Sequence, residues 1–335
     1  MTPRSRILLA LLGAFLLALP WVVNPYLLSV ATLILYLAYT GQAWNVMMGF
    51  AGQLSLGHSL YVGVGAYVSA AIFFHYGIGP WAGMWLSIAL CVAIGAAIGF
   101  LAFRFGISGV YFALLTIAFS EFFRIGFDHL QWTGGSGGLF LKVAQRDQID
   151  LANFRGPPAM YYYAILSLTV SALIFCSFLL KSKAGYYWQA IRENEEAAQA
   201  LGINTFRWKM LAVVISSAMT AVAGVFFAFY YNNLFPEQIF HISRSIEIIL
   251  GPIIGGVGTL FGPILGAAVL TILADGITEI LGALGWEIPG IKQVFYGVCL
   301  LLVVMFLPDG VWPPLAKRLG LGLRGWRDEP GKSSR

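Results

Sequence analysis

Nine stretches of the chain, 7–23, 27–48, 54–75, 81–103, 107–127, 160–180, 209–231, 262–282 and 290–308, are apolar almost throughout. Each is close to the roughly 20 residues that a helix needs to cross about 30 Å of hydrocarbon. Backbone polar groups in lipid must be satisfied within the protein, so runs of this kind form helices. A tenth run, 239–256, carries His241 and Arg244 in its first turns and glycines at its end. The expectation is an all-α, polytopic transmembrane bundle of about ten helices, a single membrane domain over 1–335. Charge agrees: only 10% of the residues are charged, against about 25% in soluble domains.

Lysine and arginine orient such a bundle, because short cytoplasmic loops hold the excess of them. Ten crossings with both termini cytoplasmic put Arg4, Arg6, Arg104, the bases of 181–209 and the tail bases from Lys317 to Arg335 on the inner face. Arg124, Lys142, Arg146, Arg155, Arg244 and Lys292 fall outside it. Nine crossings would place the basic tail outside and spoil this asymmetry. The net charge of +5 then belongs to inner loops, and no nucleic acid is implied. The start, MTPRSRILLALLGAFLLALP, is basic and then apolar like a signal peptide, but Trp21, Val22 and Val23 continue the run with no small-x-small cleavage site. It is read as an uncleaved first helix. Cys91, Cys176 and Cys299 lie far apart inside apolar runs, which argues against metal or disulfide roles.

Two loops stand out. The outer one, 128–159, is glycine-rich and closed by Gly156-Pro157-Pro158, and reads either as a solvated connector or as a docking surface for an external partner. The inner one, 181–208, holds YWQAIRENEEAAQAL (187–201), rich in helix formers and ending at Gly202. Trp188, Ile191, Ala198 and Leu201 recur at helical spacing, so one short amphipathic helix is expected, resting on the membrane or meeting a soluble partner. The tail 311–335 is expected to be cytoplasmic and disordered.

Glu196, Ala197, Ala198 and Gly202 fit the pattern E-A-A-x-x-x-G, which looks like the coupling loop of ABC importer permeases. The stretch from Ser182 to Gly224 resembles the second permease subunit of the high-affinity leucine/isoleucine/valine importers. NVMMGFAGQLSLGHSLYVGVGAYVSA (45–70), GVYFALLTIAFSEFFRI (109–125), TGGSGGL (133–139) and GGVGTLFGPILGA (255–267) resemble that family's segments in order. The likeness runs from about 25 to 310. It implies a permease that works with a homologous second permease, two cytoplasmic ATPase subunits that bind ATP and Mg, and an external solute-binding protein, in a bacterial inner membrane. It also implies the ten-helix plan of the vitamin B12 importer. Relatives of this kind carry branched-chain amino acids, and also urea, short amides or aromatic acids.

The chain itself carries no nucleotide site. Gly331-Lys332-Ser333 would need a glycine at 326 to make a P-loop, and Trp326 stands there. His58, His75, His129 and His241 are scattered, and none belongs to a catalytic motif. Ionisable residues are few and mostly near the ends of runs, which disfavours a stand-alone secondary carrier. Glu121 and Arg124 are spaced on one helix face, for an ion pair or for contact with a substrate. Glu247 can pair with Arg244 or point into a cavity, and Asp275 and Glu279 can be solvated or pair with Lys292. GFAGQL (49–54) and GGVGTL (255–260) share G-x-x-G-x-L, one in each half. Broken segments at matching positions point to a transport path, which Gln53, Ser55, His58, Gly255, Gly256, Gly258 and Thr259 would line. Close helix packing explains the same glycines equally well.

Overall fold

The computed structural model describes residues 3–142, 149–283, 290–307 and 309–319. These are helical almost throughout. In chain order they form α1 (Pro3–Val22), α2 (Pro25–Asn45), α3 (His58–Tyr76), α4 (Pro80–Arg104), α5 (Val110–His129), α6 (Pro158–Lys181), α7 (Lys183–Glu193), α8 (Glu195–Ala200), α9 (Thr205–Tyr231), α10 (Pro236–Ile239), α11 (Ile242–Gly255), α12 (Gly262–Ala283), α13 (Ile291–Phe306) and α14 (Trp312–Leu319). Seven segments among the described residues are long and apolar enough to cross a membrane: 25–50, 58–76, 80–104, 110–129, 158–181, 205–231 and 262–279. Leu11–Val22 and Gln293–Val303 are apolar but shorter. The protein is a multi-pass membrane protein.

Burial separates inner from outer helices. Leu35 to Asn45 of α2 and His58 to Ala71 of α3 are buried without interruption, so these two have no lipid face over those stretches. α3 packs on α9 and α4, while α2 packs on α6, α11 and α12. Small residues let α3 and α9 come together: Gly65 lies against the backbone of Ala221, and Gly224 against that of Val62. By contrast, α4, α5 and α6 bury one face and turn Leu86, Leu90, Phe100, Phe122, Ile174 and Phe178 outward. The first helix is tied down by hydrogen bonds from the Tyr162 and Tyr163 hydroxyls to the carbonyls of Leu16 and Leu17, at 2.8 and 3.0 Å.

The loop 128–159 folds back onto the bundle. Leu139–Phe140 pairs antiparallel with Asn233–Leu234 just after α9. The His75 ring bonds the Trp132 carbonyl at 2.7 Å, and the Trp81 indole donates to Leu151 O at 2.8 Å. Asp150 caps the turn that follows it, accepting from the Asn153 amide at 2.7 Å, which holds its carboxyl below the ordinary carboxylate range. Within the stretch expected to be the tail, α14 is helical and Val311 N–H donates to Ile254 O at 2.9 Å. The Gly331-Lys332-Ser333 run and the Lys292 side chain lie outside the described residues.

The expectation of one amphipathic helix over 187–201 is corrected. Asn194 takes an extended conformation between α7 and α8, and its side-chain oxygen accepts from Ala197 N–H at 2.9 Å. Asparagine is a weak helix former and a strong N-cap, so it ends one helix and starts the next. Trp188, Ile191 and Ala198 are buried as the spacing implies, but Leu201 is 82% exposed and does not share their face.

Candidate functional site

The stretch 49–58 breaks the bundle's second helix. After Asn45 the chain widens into a π turn, Val46–Phe50, then runs non-helically to His58. Freed backbone groups in such a place must find partners inside the protein. Gly52 N–H and Gln53 N–H donate back to Met48 and Met47 carbonyls at 3.0 and 2.9 Å. Leu56 N–H donates to the Thr116 hydroxyl at 3.1 Å, and Ser55 O accepts from the Trp44 indole at 2.8 Å.

The stretch 255–260 is a second break, and it meets the first. α11 ends at Gly255 and α12 begins at Gly262. Between them the Thr259 hydroxyl donates to Gly256 O at 2.7 Å and accepts from Gly262 N–H at 3.1 Å, closing the turn. Asn45 bridges the two breaks. Its oxygen accepts from Gly258 N–H at 2.7 Å, and its amide donates to Thr259 O at 2.9 Å. The contact admits no side chain at Gly49, where a Cβ would stand 2.7 Å from the Gly258 nitrogen. The two G-x-x-G-x-L segments are therefore neighbours in space.

The polar side chains of the first break are bonded internally. The Gln53 amide donates to Ala51 O at 3.0 Å. His58 is fully buried between Ser55, 3.3 Å from Nδ1, and Ser216 on α9, 2.9 Å from Nε2. Ser216 donates its own proton to Ala43 O at 2.8 Å, so its oxygen must accept from His58. That places a proton on Nε2, with Ser55 within hydrogen-bond distance of Nδ1. The chain of bonds ties the break, α3, α9 and α2 together.

The α7–α8 hairpin sits against this junction. Arg192, at the end of α7, donates through Nη1 to the carbonyl of Gly49. The Trp188 indole donates to Trp208 O at 2.7 Å, and Gln199 donates to the Thr205 hydroxyl at 2.9 Å. Glu195 pairs with the buried Lys209 ammonium at 2.6 Å, while Lys209 also lies over the Phe103 ring at 4.7 Å. Glu196, Ala197 and Gly202 face outward, and Ala198 is buried. Gly202 takes φ +84° just past α8, a conformation that favours glycine, and it lets Ile203 N–H reach back to Ala198 O at 3.1 Å.

The family model described as "Branched-chain amino acid transport system / permease component" matches residues 26–304. The chain belongs to this permease family. Among relatives, the "High-affinity branched-chain amino acid transport system permease protein LivM" of Escherichia coli K12 is 28% identical over 96% of this chain and 78% of its own. The matching "LivH" permease protein of the same strain is 31% identical over 45% of this chain and 44% of its own. The "Autoinducer 2 import system permease protein LsrC" of Salmonella paratyphi B is 29% identical over 53% and 49%. No solved structure matches the chain significantly.

Some of the permease's ionisable groups form ion pairs, and others line a cleft. Arg124 bonds Glu121 through Nε at 2.9 Å and Asp128 through Nη1 at 2.9 Å, all three on α5. Arg244 and Glu247 pair at 2.9 Å on α11. Asp275 and Glu279 line a cleft of about 410 Å³ with Tyr26 and Thr278. Sequence reasoning missed Asn45, Ser216 and the role of Arg192 in this permease. A lone asparagine in the last turn of an apolar run, four residues before Gly49, is the signal that could have found the first.

Proposed function

We propose that this permease is the translocating subunit of an ATP-driven importer of branched-chain or related amino acids. In this reading the α7–α8 hairpin receives the movement of cytoplasmic ATPase subunits and passes it to the glycine-broken core. The observation that carries it is the bond from Arg192 to Gly49. It links the segment bearing Glu196, Ala197, Ala198 and Gly202 directly to the first break, and Asn45 links that break to the second.

The two breaks form the gate at the α7–α8 end of the path. Gln53, Ser55, His58, Gly255, Gly256, Gly258 and Thr259 build its walls, with glycines giving the close approach that a small shift of one segment would open. The bundle has ten crossings, the seven long segments together with α1, α11 and α13, and so follows the plan of the vitamin B12 importer. Both termini face the cytoplasm of a bacterium whose inner membrane holds the chain. A homologous second permease, two ATPase subunits that hydrolyse ATP with Mg, and an external solute-binding protein complete the assembly.

Reconstitution tests this. Vesicles holding the permease with its partner permease and ATPases should take up labelled leucine when ATP and the binding protein are supplied, and vesicles lacking the ATPases should not. Uptake by this chain alone, or uptake driven by a proton gradient, would refute the reading.

A further inference from the structure

At the end of the bundle remote from α7 and α8, five helices bring a charged and aromatic cluster together. Arg244 and Glu247 form its ion pair, with side chains 22% and 29% exposed. Tyr36 from α2 and Tyr231 from α9 lie within electrostatic range of both. Tyr296 from α13 lies within range of the same pair and of Asp275 on α12. The Arg244 guanidinium also sits 5.1 Å from the centre of the Phe227 ring, and that ring packs against both Tyr36 and Tyr231.

Two features show that the cluster's hydrogen bonding is incomplete among the described residues. The Tyr36 hydroxyl is buried and has no hydrogen-bond partner among the described residues, although the residue is only 2% exposed. The Arg244 Nε is also buried and without one. A buried polar atom left without a partner costs free energy, so such atoms call for a ligand or a function. Asp275, within electrostatic range of Tyr296 and Tyr231, lines a neighbouring cleft with Tyr26, Thr278 and Glu279.

We infer that Arg244, Glu247 and Tyr36 form a binding site for a zwitterionic amino acid inside the permease, beside the cleft at Asp275. The inference rests on the importer reading and adds the residues that would hold the substrate. Arg244 takes the substrate carboxylate, Glu247 takes its ammonium, and the Tyr36 hydroxyl donates to the carboxylate. Phe227 and Tyr231 supply an apolar wall for the side chain.

Charge balance makes a zwitterion the fitting guest. Bringing a net charge into a low-dielectric bundle is costly unless it is paired. A zwitterion inserted between Arg244 and Glu247 replaces each partner with a like-charged group of its own, so one ion pair becomes two and the net charge does not change. An uncharged amide such as urea could not separate the pair without leaving both charges unmatched. The cluster therefore selects amino acids over neutral solutes such as urea.

The test is equilibrium binding to the detergent-solubilised complex of this permease with its partner permease and ATPases, with no solute-binding protein present. The probes are leucine, leucinamide, isocaproate and urea. The wild-type complex should prefer leucine to leucinamide and to isocaproate by about tenfold, the loss expected when a charge-assisted hydrogen bond goes unmade. In Arg244→Gln leucine and leucinamide should bind equally, and in Glu247→Gln leucine and isocaproate should. Tyr36→Phe removes a hydroxyl that bonds nothing among the described residues, so it should leave thermal stability intact and weaken leucine binding several-fold. The site is overturned if the leucine-to-leucinamide ratio is the same in wild type and Arg244→Gln, if Tyr36→Phe binds leucine like wild type, or if urea is preferred. ATP-driven uptake by the same complex, reconstituted into vesicles and supplied with the binding protein, separates the two readings: uptake with unaltered ratios leaves the importer standing and removes this site.

Discussion

The guanidinium of Arg192 donates to the carbonyl of Gly49, joining the hairpin after the sixth helix to the break that follows Asn45. The bond spans 143 residues of sequence and takes a carbonyl that the break has freed from helical pairing. Arg192→Ala should leave that carbonyl without its donor and let the hairpin move without the core. A hydrogen bond to a charged group contributes about 1.5–3 kcal/mol, so ATP-driven uptake should fall roughly tenfold or more while ATP hydrolysis by the complex continues. Parallel loss of both activities would show that the bond only holds the fold.

Asn45 serves one donor and one acceptor across the two breaks, so its two simplest replacements should fail differently. Asn45→Ala leaves Gly258 N–H and Thr259 O without partners, at about 1–3 kcal/mol for each buried group. Asn45→Asp keeps an acceptor for Gly258 but turns a carboxylate oxygen toward the Thr259 carbonyl. Both should lower the thermal midpoint of the purified permease, with the aspartate variant recovering as the carboxyl is protonated at low pH. Thermal unfolding at neutral and acid pH checks this, and an aspartate variant equally unstable at both would remove the electrostatic part of the argument.

What the sequence could reveal follows from the range of each interaction. The apolar runs are local, and so α1 to α6, α9, α12 and α13 fall close to where their lengths imply. The Arg244–Glu247 pair was legible as one of two options because both residues lie on one helix, three apart. The split of 187–201 was hidden because Asn194 acts through its cap, which helical spacing alone does not report. The bridge from Asn45 to Gly258 and Thr259 spans 213 and 214 residues, and no periodicity encodes it. The repeated G-x-x-G-x-L gave a hint that two distant segments matter, without saying that they touch.

His58 supplies a test of whether the first break binds substrate or only holds helices. Its ring is fully buried, with Nε2 donating to Ser216 and Nδ1 bonded to Ser55. Ser216→Ala removes the acceptor and should destabilise the permease by about 1–3 kcal/mol. His58→Gln should likewise reduce the yield of assembled complex. The KM for leucine should remain that of the wild type in whatever assembles, since neither ring nitrogen is left to meet a ligand. A large change in KM at constant stability would instead place the ring against the substrate.

Neighbouring glutamates of α8 should separate holding the hairpin from driving it. Glu195 bonds Lys209, whose ammonium is buried and would be stranded by Glu195→Gln. Because Glu195 is itself one-third exposed, the loss should be moderate, about 1–3 kcal/mol. Glu196 lies one residue on, points outward and makes no hydrogen bond or ion pair among the described residues, so Glu196→Ala should leave the thermal midpoint unchanged. If the outward face of α8 meets an ATPase subunit, that same variant should lose leucine uptake and weaken co-purification of the ATPases. Melting curves and pull-down of the two variants side by side decide it: uptake intact in Glu196→Ala would remove α8 from the coupling path, whatever Glu195 does.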